Sequence, residues 1–261
     1  MDEARKINLS ISSWPGCGST TLSILLALIL ERRYINIGNI YRHLGQKLGY
    51  ANEGGTRPKF DNYIEDIIGL TIDNYSDYVL LNYNNLLFES DIAAFRIGKH
   101  PKVFSIFLIA DKDERIKRVE LQGRDDAVNV LEQRDRVLRD VYQKLWAIDF
   151  FDTELIEKKY NMKFDNSNMT LETELRLIID ELKNYNAMNN FEESYWNNIY
   201  NSIPKYVDLY WKEGKQFILD KLSSKNLLIK PEESMQDIAK IFPEDVAQYP
   251  ENVKKIFFGY N

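Results

Sequence analysis

Residues 12–21 read SSWPGCGSTT, and their types and spacing suit the binding of phosphate. Phosphate-binding loops follow the pattern G-x-x-x-x-G-K-[ST]. Their glycines let backbone N–H groups approach the phosphates, their lysine neutralises charge, and their hydroxyl residue reaches Mg²⁺. On this chain Ser13 takes the place of the first glycine, Gly18 matches the second, Ser19 stands at the lysine position and Thr20 matches the hydroxyl residue. Pro15, Gly16, Cys17 and Gly18 permit a tight turn with nothing projecting from the glycines to block an anion. A helix opening near Ser19 would add free N–H donors and the positive end of its dipole. The candidate cradle is therefore Ser13, Pro15, Gly16, Cys17, Gly18, Ser19, Thr20 and Thr21, with Thr20 the candidate Mg²⁺ ligand. Ser19 can donate a hydrogen bond but carries no charge. On the motif alone, an ordinary glycine-rich strand-to-helix turn fits the same residues.

Such a loop works only between a buried strand and a helix, and the flanking pattern supplies both. Residues 7–11 read as a buried strand and 20–33 as a helix. Short strands are expected at 34–37 and 162–164. Residues 103–110 (VFSIFLIA) form the clearest buried strand. Segments 78–81 and 85–88 compete for one further strand; the second is preferred because it puts Glu89 at its C-terminal end, where open α/β sheets bind ligands. Helical periodicity covers 63–74, 113–122, 127–146 and 171–184. Strands alternating with helices predict a parallel α/β sheet.

The chain has 261 residues, 44% of them hydrophobic and 28% charged, the composition of a globular protein. Its net charge of -6 argues against a nucleic-acid partner. A single cysteine excludes an internal disulfide. No apolar run reaches the roughly 18 residues of a membrane span, and the first residues lack a signal-peptide core, so a cytoplasmic location is expected. Every arginine lies at or before Arg176. Arginine is the residue suited to forked phosphate contacts, which predicts a nucleotide-handling domain over 1–185 and a helical domain over 186–261 that takes no part in phosphate binding. In that second part Tyr195, Trp196, Ile199, Tyr200 and Ile203 keep helical spacing and are expected to be core, with helix breaks at Pro204, Pro231, Pro243 and Pro250.

With these residues in place the chain resembles the nucleoside monophosphate kinases, and most of all the cytidylate kinases of archaeal type. Some of those carry G-x-P-G-x-G-T-T-T, with threonine in place of the lysine, and WPGCGSTT is similar to it. The family's S-A-G-D-I-F-R motif ends in an arginine that binds the acceptor monophosphate; NIGNIYR at 36–42 stands in its place and makes Arg42 that residue. Its V-L-E-G-R motif corresponds to LFESD at 87–91, where Glu89 matches, Ser90 replaces the glycine and Asp91 replaces the arginine. Arg96, five residues on, is the candidate for the lost charge. Residues 103–119 are similar to the family's strand and helix leading into its lid, which implicates Arg115, Arg118 and Arg124. Residues 134–149 resemble its R-E-x-S-E-R-x-R-Y…Y-G-I-D segment. Arg134, Arg139, Tyr142, Ile148 and Asp149 match there; Val137 and Val141 do not. Asn166, in DNS at 165–167, is similar to the family's N-T-S loop near the donor base. The resemblance covers roughly residues 6–183.

The resemblance implies a P-loop three-layer fold of adenylate/cytidylate kinase type, with a five-stranded parallel sheet plus a C-terminal all-helical domain. It implies ATP and Mg²⁺ as cofactors and a nucleotide as the small-molecule substrate. Thr20 and Glu89 would serve the metal; Arg42, with Arg57 or Arg96, would hold the acceptor; and Glu89, Arg115, Arg118, Arg134 and Arg139 would be catalytic. Three functions follow: phosphoryl transfer to CMP, dCMP or a similar acceptor; transfer to a changed acceptor; or a nucleotide-binding module without turnover. In the last case the helical tail would serve a homodimer or a protein partner.

Overall fold

The strand VFSIFLI is apolar on both faces, which fits the centre of a sheet covered by helices on either side. The structure, a computed structural model, describes residues 7–50, 62–123, 126–185, 192–242 and 251–258. In chain order the elements are β1 (Asn8–Ser13), α1 (Ser19–Ile29), β2 (Arg33–Asn36), α2 (Ile37–Lys47), α3 (Asn62–Asn82), β3 (Leu86–Glu89), β4 (Val103–Ile109), α4 (Lys112–Leu121), α5 (Ala127–Trp146), α6 (Thr153–Lys159), β5 (Met162–Asp165), α7 (Leu171–Asn184), α8 (Glu193–Ser224), α9 (Pro231–Ile241) and α10 (Glu251–Phe258). The five strands form one parallel sheet in the order β2-β3-β1-β4-β5. This is the α/β fold expected from the sequence.

Alternation of side chains divides the core between the two faces. Leu9, Ile11, Phe104, Ile106 and Leu108 pack with α1, α7 and α8 on one face. Ile35, Phe88 and Phe107 pack with α2, α3, α5, α9 and α10 on the other. From β1 the chain passes over β3 to β2, returns to β3, and then crosses to β4 on the other side of β1. Loops leaving β1 and β3 therefore open side by side at the C-terminal edge of the sheet, the usual place for a ligand in open α/β sheets. Register fixes the neighbours: Ile11 lies opposite Glu89, and Ser90 N donates to Ile11 O at 3.2 Å.

The expected boundaries shift at points with identifiable causes. Residues 78–81 are the end of α3, and the strand is 86–89, one residue later than the preferred assignment. The buried Asn8 side chain sets this exchange. Its Nδ2 donates to Leu80 O (2.8 Å) and Tyr83 O (2.7 Å), and its Oδ1 accepts from Leu86 N (2.9 Å). One amide thus satisfies a helix end and starts a strand. Helix α1 stops at Ile29 rather than at 33, because Glu31 turns left-handed at φ 51 and Arg32 N closes back on Ala27 O. Ile37 begins a helix rather than ending a strand, since Asn36 Oδ1 caps α2 by accepting from Asn39 N at 2.8 Å. Helix α6 was not anticipated, although Asp152 caps it through Glu154 N and Leu155 N.

The expected break at Pro204 is corrected. Pro204 lies inside α8, and the break in that helix is at Gly214, with φ 82 and ψ 177. Pro231 opens α9, while Pro243 and Pro250 lie outside the described residues. Trp196, Ile199 and Ile203 are core, as their spacing predicted. The expected boundary at 186 also falls outside the described residues. Beyond it, α8 packs on α1 and α7. The chain then runs along β2, where Tyr34 N donates to Leu227 O (2.6 Å) and Ile229 N to Tyr34 O (3.0 Å), so the exposed sheet edge is covered. Met235 and Ile238 of α9 and Val253 of α10 join the opposite core. No helix among the described residues is long and apolar enough to cross a membrane.

Candidate phosphate-binding cleft

The turn after β1 is built by its glycines. Gly16 (φ 84) and Gly18 (φ 87) both lie in the left-handed region, which glycine enters without a Cβ penalty. Gly18 is also the N-cap of α1. Cys17 N closes the turn on Trp14 O at 3.2 Å.

Beneath the turn, buried polar groups hold its carbonyls. Arg115 Nη1 donates to Pro15 O (3.2 Å) while its guanidinium grips Asp135 in a fork of 3.0 and 2.9 Å. Arg118 Nη1 donates to Cys17 O (3.0 Å) and Asn166 Oδ1 (2.9 Å), Arg118 Nη2 to Asn166 O (2.8 Å), and Asn166 Nδ2 to Cys17 O (2.9 Å). A planar trans peptide directs its C=O and the following N–H to opposite sides. Holding the carbonyls of Pro15 and Cys17 against α4 therefore turns the N–H groups of Gly16 and Gly18 the other way, as an anion cradle requires.

These contacts correct three sequence assignments. Arg115 is buried, Arg118 nearly so, and Asn166 is fully enclosed. They position the loop from below rather than reaching into the cleft. Cys17 also points into the core; burial pushes its thiol up to about 12, so it stays protonated and unreactive.

Gly16 has no room for a side chain. A Cβ there would come within 3.0 Å of the Arg115 carbonyl oxygen and Cβ. Gly16→Ala is expected to lower stability by about 1–3 kcal/mol from the positive φ alone, with a loss of nucleotide affinity as the cradle shifts. Urea unfolding and an ATP titration check this; unchanged midpoint and affinity would contradict it.

Glu174 lies in the same buried layer and accepts from Asn166 Nδ2 at 3.0 Å. Burial raises its pKa from 4.5 to about 7, against the lowering effects of Asn166 and Arg118. The native state therefore keeps a proton that the unfolded chain loses, and stability falls as pH rises from 4.5 to 7. At roughly 1.4 kcal/mol per unit, the Glu174 contribution is on the order of 3 kcal/mol. Glu174→Gln should flatten this dependence and raise stability at pH 8, as denaturant titrations at several pH values would register. An unaltered pH profile would refute it.

On the open side lies a cleft of ≈ 590 Å³, lined by the loop, the start of α2, the end of β3, faces of α3 and α5, and part of α8. Ser13, Pro15, Gly16, Gly18, Ser19, Thr20 and Thr21 line it, together with Glu89, Arg42 and Arg134. Glu89 is the centre of a hydrogen-bonded knot. Its Oε1 accepts from Thr20 Oγ1 (2.6 Å) and Ser19 Oγ (3.3 Å); its Oε2 accepts from Asn36 Nδ2 (2.6 Å) and from the Tyr34 hydroxyl. Burial and the Glu89 carboxylate hold the Tyr34 pKa well above its ordinary value, so this phenol remains a donor.

The chemistry of this donor set fits Mg²⁺, which favours few protein oxygens and relies on phosphate and water for the rest. Thr20 gives its proton to Glu89, leaving its oxygen lone pairs for a cation, while Glu89, already accepting from four groups, suits an outer position that orients bound water. No cluster of three or more His, Cys, Asp or Glu side chains forms a separate metal site among the described residues.

Arg42 and Arg134 bring two guanidiniums to the cleft. Arg42 Nη2 donates to Asn39 Oδ1 at 2.6 Å. Burial lowers the Arg42 pKa, Glu89 and Asp91 oppose that shift, and Arg134 adds to it. Two cations that repel each other across a cleft form a receptive place for an anion. Gly38 makes room for this arrangement, since a Cβ there would lie 3.3 Å from Arg42 Nη1.

The remaining arginines lie elsewhere. Arg96 pairs with Asp77 (3.1 Å), donates to Asn74 (2.9 Å) and stacks 4.0 Å over the Trp146 ring. Arg139 is exposed, 4.7 Å over Phe151 and 3.9 Å from Asp149. Neither lines the cleft, which corrects both assignments. Arg57 and Arg124 lie outside the described residues. Sequence reasoning missed Tyr34, Asn36, Asp73, Tyr210 and Lys215. Asn36 had a signal, a capping residue at a strand-to-helix junction. Tyr210 and Lys215 had none, because they come from the arginine-free tail.

No family model matches the chain. A cytidylate kinase of Methanosarcina acetivorans is 27% identical over 184 residues, covering 67% of this chain and 98% of that protein. One from Saccharolobus islandicus is 25% identical over 175 residues, covering 66% and 88%. An S-adenosylmethionine-dependent nucleotide dehydratase of Lacinutrix mariniflava is 23% identical over 194 residues, with 70% of this chain matching only 37% of that protein. Among solved structures, an uncharacterized protein from Eubacterium ventriosum superposes with a TM-score of 0.51 at 16% identity, covering 68% of this chain and 98% of that one. The chain thus has a P-loop kinase-like fold and distant similarity to nucleotide kinases.

Proposed function

We propose that the cleft transfers the γ-phosphoryl group of Mg-ATP to a nucleoside monophosphate. The carrying observation is the Thr20–Glu89 contact at the mouth of a glycine cradle, with Arg42 and Arg134 lining the same cleft. An acceptor phosphate oxygen forms a bond to the γ-phosphorus, the bond to the β–γ bridging oxygen breaks, and ADP leaves with that electron pair. The protein's part is to position both substrates and offset their charge. Gly16 and Gly18 present N–H groups to the donor phosphates, and Thr20 with Glu89 would hold Mg²⁺, whose charge would offset theirs. Arg42 and Arg134 hold the acceptor. CMP or dCMP is the acceptor that the names of the kinase relatives favour.

Asp91 favours a second reading. It lines the cleft and acts electrostatically on Arg42, so it offsets cationic charge on the acceptor side. An acceptor less anionic than CMP would suit that arrangement. The cradle itself is tested by nucleotide binding. Mg²⁺ should tighten ATP binding to the wild-type protein, and Thr20→Ala should abolish that increment. Equal affinities with and without Mg²⁺ in the wild type would overturn the reading.

A further inference from the structure

The loop lacks its lysine, and the cleft holds a lysine from a part of the chain with no counterpart in the loop motif. Ser19 occupies the lysine position. Lys215, on α8, lines the same cleft as Gly18, Ser19 and Thr20. Two features bring it there. Tyr210, five residues earlier, meets Thr21 Oγ1 through its hydroxyl at 2.9 Å, which fixes α8 against the opening of α1. Gly214, immediately before Lys215, breaks α8 with φ 82 and ψ 177, a backbone region that is essentially glycine-only. A regular helix would carry residue 215 round to a different face. No atom lies within 4 Å of a Cβ placed at Gly214, so the glycine serves the backbone path and not close packing.

We infer that Lys215 supplies from the C-terminal helix the cation that the loop has lost, contacting the β- and γ-phosphates of a bound nucleoside triphosphate. This rests on the phosphate-cradle reading above. It also assigns part of the arginine-free tail to the site: a single ammonium on a flexible stem reaches a phosphate as a point charge and needs no guanidinium fork. Among the described cleft residues, Arg42 and Arg134 are the other cations, and they lie on α2 and α5.

The test is calorimetric titration of the full chain with Mg-ATP and with AMP, which lacks the β- and γ-phosphates. Wild type, Lys215→Met, Lys215→Arg and Gly214→Ala are compared. Lys215→Met should lose about tenfold in ATP affinity, the scale of one charge-assisted hydrogen bond, with AMP affinity unchanged. Lys215→Arg should recover most of the loss, and Gly214→Ala should reproduce it. ATP binding to Lys215→Met at wild-type strength would overturn the inference and leave the cradle intact, as would equal losses for ATP and AMP. Failure of the wild type to bind ATP would overturn the cradle and this inference together. Lys215 is exposed, so thermal melting should not separate Lys215→Met from wild type; a lowered melting temperature would attribute any loss to folding and count against the inference.

Discussion

Glu89→Gln should reduce phosphoryl transfer by about 10²–10³-fold, the range for losing one preorganised electrostatic group at a reacting centre. The carboxylate accepts from Thr20, Ser19, Asn36 and Tyr34 at once. An amide keeps the shape but replaces one acceptor oxygen with a donor. Either Thr20 loses its acceptor, or Asn36 and Tyr34 face a donor in a buried setting. In both cases the knot must rearrange, at a cost of about 1–3 kcal/mol for a buried polar group left unpaired. The effect should be greater on the Mg²⁺-dependent part of ATP affinity than on binding of nucleoside alone. Steady-state kinetics across a Mg²⁺ series, with urea unfolding on the same samples, separates the catalytic loss from the structural one. Wild-type turnover in Glu89→Gln would remove Glu89 from the mechanism.

Arg42→Ala should raise the acceptor KM by about 10- to 100-fold and leave ATP affinity within about twofold, since a charge-assisted contact is worth roughly 1.5–3 kcal/mol. Arg42 is held by Asn39 in the first turns of α2, and Gly38 leaves space for its guanidinium. Removing it also relieves repulsion on Arg134, so Arg134 should compensate in part and the double variant should lose more than either single one. Equal loss of ATP and acceptor binding would show that Arg42 serves the fold or the donor site instead.

Much of this was legible in the sequence because local physics determined it. A buried strand, two glycines and a helix with a hydroxyl at its start place the loop, and the pairing of β1 with β3 sets it beside the strand that ends in Glu89. The arginines were less legible. Arg42 lies in α2, within six residues of that helix's cap, Asn36, and its glycine, Gly38, so its position is a local matter. Arg115 and Arg118 sit on α4, and which way they face depends on Asp135 and Asn166, 20 and 48 residues away. Their types suited phosphate, but tertiary pairing claimed them for the loop's underside. Arg96 was similarly claimed by Asp77 and Trp146. Lys215 is the reverse case. Composition set the tail apart from phosphate chemistry, yet packing of α8 against α1 and one glycine break bring its lysine to the cleft. Residue type indicated what a side chain could do; long-range packing decided where it does it.

The most direct test of phosphoryl transfer by this cleft is a steady-state assay from Mg-ATP to CMP, dCMP, UMP, AMP and GMP, with ATP binding measured on the same preparation. Mg²⁺-dependent ATP binding and turnover on at least one monophosphate are expected, with CMP or dCMP preferred. ATP binding with no transfer to any of the five would contradict this and leave a nucleotide-binding module or an acceptor outside this class.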